Sequence, residues 1–322
     1  MRWTMLLACA ALAGSSVSAF AQQASYDERI LSDPLYLPLQ GQIFGATNYA
    51  WGSTSQKSFD NTGTEIARSQ ITSNAVNQAV MYGLSDDLAL NLDWGYDWRS
   101  NSRHDLSGGD IIRSSSGWTD PAFGLTWRAI DEAHGNAFDL DLRAEYLPDL
   151  FPAKIATTDE EGTIARGGRA ADFGATFGRV TPNFTLAGTF DAVWLDTRQA
   201  LNQNSGLYTT TSAVWNYRLG IESQFRFGAP YSINAGFGHS FNNDTTVFNG
   251  TTGLFHAATG GDVTDVHASL NYAFTPSMVA SLNYQHNFYD SARDLFADPA
   301  NDTSVRDKNE DLAGVTLRYV LQ

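Results

Sequence analysis

Between Leu88 and Trp98 every second residue is large and apolar: Leu88, Leu90, Leu92, Trp94, Tyr96 and Trp98. Ala89, Asn91, Asp93, Gly95 and Asp97 fill the gaps. Successive side chains of a strand point to opposite faces, so the stretch has one apolar and one water-facing side. Its length matches the about 9 to 11 residues of a tilted membrane strand.

The pattern recurs along the chain. Phe123, Leu125 and Trp127 alternate with Gly124, Thr126 and Arg128, and Phe138, Leu140, Leu142, Ala144 and Tyr146 with Asp139, Asp141, Arg143 and Glu145. Further runs centre on Phe173–Phe177, Phe184–Trp194, Trp215–Arg226, Tyr231–Phe237, Val266–Phe274, Met278–Phe288 and Val315–Leu321. Weaker ones lie near Gln42–Trp51 and Ile71–Tyr82, which makes twelve predicted strands. Short turns are expected at Gly83–Asp87, Asp131–Asn136, Thr181–Asn183, Gly228–Pro230 and Thr275–Ser277. Long polar loops are expected near 52–65, 99–117, 148–167, 197–210, 242–262 and 290–310. Alternating short and long connections and an even strand count describe an all-β, antiparallel, up-and-down transmembrane barrel with both termini on the periplasmic side. A secreted sandwich also alternates, but it does not require the loop asymmetry or strands this long.

Charge follows the same parity. The water-facing set carries Asp93, Asp97, Arg128, Asp139, Asp141, Arg143, Glu145, Asp172, Asp191, Arg218, Glu222, Arg226, Asp265 and Arg318, and the apolar set only Arg179, beside a turn. An arginine facing lipid at mid-membrane would cost about 2–4 kcal/mol, which is a physical reason for the segregation. These residues are therefore the predicted lumen wall, where an ion-pair network fixes the wall, a path orients a polar solute, or both. Arg128 is expected to pair with Asp139 or Asp141 across a hairpin. Aromatics gather at the strand ends in two groups, as interfacial girdles would: Trp94, Tyr96, Trp98, Tyr146, Trp194, Trp215 and Tyr217 toward the long loops, and Trp127, Phe138, Phe184, Phe225, Tyr231, Phe274 and Tyr319 toward the short turns.

The N-terminus reads as an export signal: Arg2, an apolar core from Met5 to Ala13, and Ala19-Phe20-Ala21 as a cleavage site, so that the mature chain begins at Gln22. The expected organisation is a leader at 1–21, a periplasmic segment at 22–39 with Pro34 and Pro38 that would alternatively plug the lumen, and a barrel at 40–322. The single cysteine, Cys9, lies in the leader, which removes disulfides and thiolate metal sites. Too few residues precede Cys9 for a lipoprotein signal. The 35 acidic against 20 basic residues, a net charge of −15, repel phosphate backbones and argue against nucleic acid as a partner. The expected partners are outer-membrane lipid and lipopolysaccharide, a small-molecule solute and, during biogenesis, the barrel-assembly machinery. Such barrels usually end in an aromatic residue; here Tyr319 is the nearest on the apolar face, so assembly would use a variant signal.

Catalysis needs a nucleophile and base within reach on the same face. His267 and Ser269 share the inner face, and His239 and His286, on the apolar face, have Phe241 and Phe288 as their i+2 neighbours. No enzyme, metal centre or cofactor is predicted. Asp159-Glu160-Glu161 and the stretch from Asp298 to Asp311 read as solvated acidic loops.

Two stretches carry a family resemblance. Tyr82-Gly-Leu-Ser-Asp-Asp-Leu-Ala-Leu-Asn-Leu-Asp-Trp-Gly-Tyr96 resembles the opening strand–turn–strand of the outer-membrane barrels of the MetA pathway of phenol degradation. Ser116-Gly-Trp-Thr-Asp-Pro-Ala-Phe-Gly-Leu-Thr-Trp-Arg128 resembles that family's next strand, with Gly117, Asp120, Gly124 and Arg128 matching. The resemblance implies a transporter-like outer-membrane channel for aromatic or other hydrophobic compounds. The sequence thus leads to an outer-membrane channel for passive passage of small organic molecules. A polar-solute porin of oligosaccharide or nucleoside type and a non-conducting structural barrel are the alternatives.

Overall fold

The computed structural model describes residues 30–228 and 230–321; the predicted leader, its cleavage site and Gln22 lie outside them. The alternating runs form twelve wall strands: β1 (Ile43–Phe59), β2 (Glu65–Ser85), β3 (Leu88–Asp105), β4 (Gly109–Trp118, continued as Ala122–Ile130), β5 (Asp139–Leu147), β6 (Ala170–Val180), β7 (Phe184–Leu195), β8 (Val214–Arg226), β9 (Tyr231–Asn242), β10 (Val263–Thr275), β11 (Met278–Tyr289) and β12 (Thr303–Leu321). Each pairs antiparallel with the next, and β12 returns to β1 in the register Ile43↔Leu321 and Tyr49↔Val315. The sheet therefore closes on itself and leaves no wall edge unpaired, the condition for a sheet to cross lipid. No helix among the described residues is long and apolar enough to cross a membrane.

Parity decides which way each side chain points. Outward stand Leu142, Phe173, Leu219, Ile221, Leu270, Leu282 and Val315, all exposed despite being large and apolar, with Leu282 61 % accessible. A band of this kind around a closed ring is matched by hydrocarbon rather than water, and a closed ring excludes the two-layer sandwich. Glycines in the outer band are roofed by rings: Tyr319 lies over Gly45 at the closing pair and Phe177 over Gly188, so neither position has room for a Cβ.

The predicted long loops are largely strand. β1 and β2 continue as a ribbon to a tip at 60–64, and β3 and β4 to one at 106–108. Arg198–Asn202 pairs with Leu207–Thr211, Thr245–Asn249 with Leu254–Ala258, and Ala292–Phe296 with β12. Cross-pairing of 209–211 with 247–249 and of 256–258 with 294–296 joins them into a raised rim. These ribbons are wet on both sides, so no hydrophobic alternation marks them as strands. The longer β12 also places a second charge on the outward face: Asp311 accepts hydrogen bonds from Tyr284 Oη at 2.6 Å and lies 2.8 Å from His286 Nδ1.

β4 detaches from β3 after Trp118 and rejoins it at Ala122. In the gap, Asp120 Oδ1 accepts the backbone N–H groups of Leu150 and Phe151 at 2.8 and 3.0 Å and ties down the loop after β5. Two of the positions that carry the family resemblance, Asp120 and Gly117, thus shape this break, Gly117 with φ +149°.

Candidate functional site in the barrel lumen

The inward positions build two levels, one at the short-turn end and one at mid-height. At the short-turn end, residues 30–38 lie inside the ring. Leu35 and Leu37 are buried. Leu35 packs on Val180 and Ala187, and Leu31 on Phe44 and Val279. The wall grips this segment with polar groups from several strands. Arg128 donates to Leu35 O at 2.6 Å, and Gln224 Nε2 to Ser32 Oγ at 3.0 Å. Asn234 Nδ2 donates to Ser32 O at 2.7 Å. Asp33 Oδ2 accepts from Thr185 Oγ1 at 2.6 Å and forms an ion pair with Arg226. Gly83 permits the crossing of the segment over β2, since a Cβ there would strike Leu39 O and Pro38 O.

Arg128, 2 % exposed, pairs in a fork with Asp141, Nε to Oδ1 at 2.8 Å and Nη2 to Oδ2 at 2.9 Å. Asp139 instead accepts the backbone N–H of Glu132 at 2.7 Å. Glu132 reaches Arg179 at 3.2 Å and the N–H of Val180 at 3.0 Å, so the outward Arg179 is anchored at the turn.

At mid-height, one arc of the wall, from β3 to β10, carries nearly all the charge. Arg143 on β5 bridges Asp172 on β6 at 2.9 Å and Asp191 on β7 at 2.8 Å, with Glu145 at 3.7 Å. Asp191 is the cross-strand partner of Arg218 on β8. Arg218 reaches Asp265 on β10 at 2.8 Å. His267 lies between Glu222 Oε2 at 2.8 Å and Asp265 Oδ2 at 3.0 Å. Asp93 sits inside on β3, and Asp97 is paired with Arg99 at 3.0 Å. The Arg143/Glu145 and Arg218/Glu222 clusters do not oppose each other across the lumen; they form one belt along the wall. Like charges that lie directly opposite, Glu145 and Asp172, are tolerated because Arg143 reaches both.

The belt depends on glycines. Arg143 and Asp191 stand on strands separated by β6, and Glu222 and His267 on strands separated by β9. In each row the middle residue is a glycine: Gly174 pairs with both Arg143 and Asp191, and Gly236 with both Glu222 and His267. A Cβ at Gly174 would meet Asp191 Oδ1 and the Arg143 guanidinium, and one at Gly236 would meet the His267 and Glu222 tips. Side chains can therefore meet across a whole strand. Gly238 leaves the same room for Arg218 and Asp265. The signal readable in the chain is G-A-T at 174–176 and G-F-G at 236–238 on otherwise alternating strands.

The opposite arc, from β11 through β12 and β1 to β2, is lined at mid-height by Asn283, Gln285, Thr316, Gly314, Asn48, Ala50, Asn77 and Ala75. Its hydrogen bonds are between neutral groups, such as Asn283 Nδ2 to Thr316 Oγ1 at 2.8 Å and Thr316 Oγ1 to Asn48 Oδ1 at 2.9 Å. Two cavities meet at Asn48. One of about 400 Å³ is bounded by Asp93, Asn77 and Leu147, and one of about 360 Å³ by Glu222, His267, Asn283 and Arg318. Parity alone does not reveal the neutral arc, because amides and alanines mark no charge.

Ser269 donates to Asn271 Oδ1 at 3.3 Å and not to His267, and the outward His239 lies 2.9 Å from Thr264 Oγ1. At the short-turn rim Asp87, Asp131 and His134 bring ligand atoms within 4.8 Å of one another, a cluster the sequence spacing did not point to. His134 Nδ1 is 2.6 Å from Asp131 Oδ2, a contact between an exposed imidazole and a buried carboxylate.

No family model matches the chain, and no curated protein matches it either. Among solved structures, an outer membrane channel from Pseudomonas putida F1 is similar over 89 % of this chain and 97 % of its own, with TM-score 0.57 and 15 % identity. The transport unit of the autotransporter AIDA-I from Escherichia coli is similar over 94 % of this chain and 99 % of its own, with TM-score 0.54 and 13 % identity. Proteins with different tasks share this architecture, so the likeness establishes the fold, a twelve-stranded membrane barrel, and the task has to be argued from the wall.

Proposed function

We propose that this chain is an outer-membrane channel through which small organic molecules pass without energy coupling. The observation that carries the reading is the water-facing lumen. Inside a ring whose outside suits hydrocarbon, charges and amides line cavities of about 400 and 360 Å³. A barrel that served only as a surface scaffold would be expected to fill this space with side chains, as the narrowest barrels do. Solute would enter through the raised rim, cross between the charged belt and the amide arc, and leave past residues 30–38. That last step requires the N-terminal segment to shift, and its grip is polar enough to be loosened. Aromatic solutes are the class implied by the resemblance to the phenol-degradation barrels. A polar-solute porin is the second reading, favoured by the belt of arginines and carboxylates along one arc of the lumen.

Conductance in planar bilayers tests the channel reading directly. Asp33→Ala removes one charge-assisted contact and one hydroxyl contact of the segment, together worth about 2–4 kcal/mol, and is expected to raise conductance and lengthen openings. Wild type and variant both at background would overturn the channel reading and leave a structural barrel. Liposome swelling with phenol against a disaccharide then separates the two solute classes.

A further inference from the structure

The lumen-facing arginines of the lower and middle wall are not equivalent. Arg128 holds Asp141, Arg143 holds Asp172 and Asp191, Arg218 holds Asp265, and Arg226 holds Asp33. Arg318 holds no carboxylate among the described residues. Its hydrogen bond goes from Nη1 to Ser281 Oγ at 2.6 Å. Ser281 in turn donates to Asn271 Oδ1 at 2.6 Å, and Asn271 Nδ2 donates to Asn234 Oδ1 at 2.8 Å and Ser232 Oγ at 3.1 Å. Every member of this relay is neutral, so nothing in it balances the guanidinium.

A partly buried cation with no counter-charge is costly, and proteins normally pair it. Here the pairing partner has room to arrive from the lumen. Arg318 lines the cavity of about 360 Å³, together with Asn48, Asn283, Thr316 and Ser269. It stands one inward position above Val320, which packs against the Leu31 cluster of the N-terminal segment. The arginine therefore marks the floor of the cavity, directly over the segment that solute must pass. A guanidinium presents a planar fork of donors that matches a carboxylate in a two-bond geometry. The amides and hydroxyls of this arc that line the cavity offer donors and acceptors but no competing anion. Glu310, a carboxylate of the same arc nearer the rim, is held by Thr54, Asn287 and Tyr289, and Glu222, which borders the cavity from the other side, is already engaged by His267.

We propose that Arg318 is the anchor of a lumen subsite for the carboxylate of a small organic acid, held at the floor of the cavity before passage. It rests on the channel reading only in taking the occupant to be a solute in transit; the binding step itself does not require conduction. The cavity volume suits an acid of the size of benzoate.

The test is calorimetric titration of the purified full-length barrel with sodium benzoate, with benzamide and inorganic phosphate as comparison probes, alongside bilayer recordings of the same preparation. Benzoate is expected to bind saturably and benzamide to bind at least tenfold more weakly. Arg318→Gln should weaken benzoate binding at least tenfold, about 1.4 kcal/mol. Arg318→Lys should retain part of it, because it keeps the charge and loses the fork. Heat-modifiable migration in gels establishes that the variants are folded. Asn204→Ala, in the exposed rim turn between Arg198–Asn202 and Leu207–Thr211 and away from the cavity, serves as a folded control that should bind benzoate as wild type does. Equal binding of benzoate to wild type and Arg318→Gln, equal binding of benzoate and benzamide, tighter binding of phosphate, or no benzoate binding by wild type would each overturn the subsite. Benzoate binding in a barrel with no conductance would leave the subsite standing and remove the channel; conductance without benzoate binding would do the reverse.

Discussion

The two arcs of the lumen wall have the same backbone geometry and opposite chemistry. From β3 to β10 the mid-height inward positions are carboxylates and arginines tied into a belt; from β11 round to β2 they are mainly amides, hydroxyls, alanines and glycines, with Arg318 below them and Glu310 above. The belt is held by charge-assisted contacts that skip across strands, whereas the amide arc is held by ladder hydrogen bonds and weak neutral contacts between neighbours. One side is thus stiff and highly polar, and the other can rearrange its donors and acceptors at little cost. An asymmetric lumen of this kind suits a solute with one ionic and one neutral side, and Arg318, on the soft arc with no carboxylate partner among the described residues, is consistent with that division.

The largest expected effect separates the arcs by stability. Arg128→Met strands a largely buried Asp141, and removing one member of a buried ion pair costs about 3–5 kcal/mol. Asn283→Ala on the amide arc loses one neutral bond, about 0.5–1.5 kcal/mol. Equilibrium unfolding in urea from lipid vesicles should show that difference, and equal losses would dissolve the distinction. Next in size is a test of parity within the amide arc. Leu282→Arg places a charge on the outward face and should cost about 2–4 kcal/mol, while Asn283→Arg, one residue on and facing the lumen, should fold with a much smaller penalty. A smaller effect probes the gaps that join the belt. Gly236→Ala pushes Glu222 and His267 apart and should cost about 1–3 kcal/mol, whereas Gly314→Ala on the other arc breaks no ion pair. Similar losses for both would mean that backbone crowding, and not the belt, decides.

The smallest effect lies at the rim, outside the membrane span. Arg169 donates two hydrogen bonds to Asp196 Oδ2, at 2.9 and 2.7 Å, and these hold the Asp196 carboxyl below its ordinary value of 3.8. A carboxyl depressed on folding contributes stability above its unfolded value and loses it as the pH falls through the folded one. Melting should therefore be insensitive to this pair from neutrality down to about pH 5 and respond only below pH 3.8. Carbon-detected NMR titration of Asp196 in wild type and Arg169→Met checks this; an unchanged midpoint in the variant would rule out the pair as the cause.

Much of this architecture was legible in single strands. Leu88–Trp98 needs no partner to show which side faces lipid, because alternation is a property of eleven consecutive residues in one extended chain. For the same reason the inward placement of Asp93, Arg143, Glu222 and Arg318 could be read from parity. The rim ribbons were missed because Leu207–Thr211 and Thr245–Asn249 are wet on both faces, so their pairing leaves no trace in hydrophobicity.

By itself the sequence determined a closed antiparallel ring of twelve strands, the two faces of its wall and the polar character of its interior, since each follows from local periodicity and from the cost of exposing a charge or an unpaired backbone group to lipid. Only the tertiary structure decided that Arg128 takes Asp141 rather than Asp139, that Arg143 reaches Asp191 over Gly174, that the charge gathers on one arc, and that Ser32 and Asp33 come to lie against Gln224 and Arg226. Those outcomes depend on stagger between strands and on contacts between residues far apart in the chain. No periodicity within one strand encodes which neighbours the closed ring will bring together.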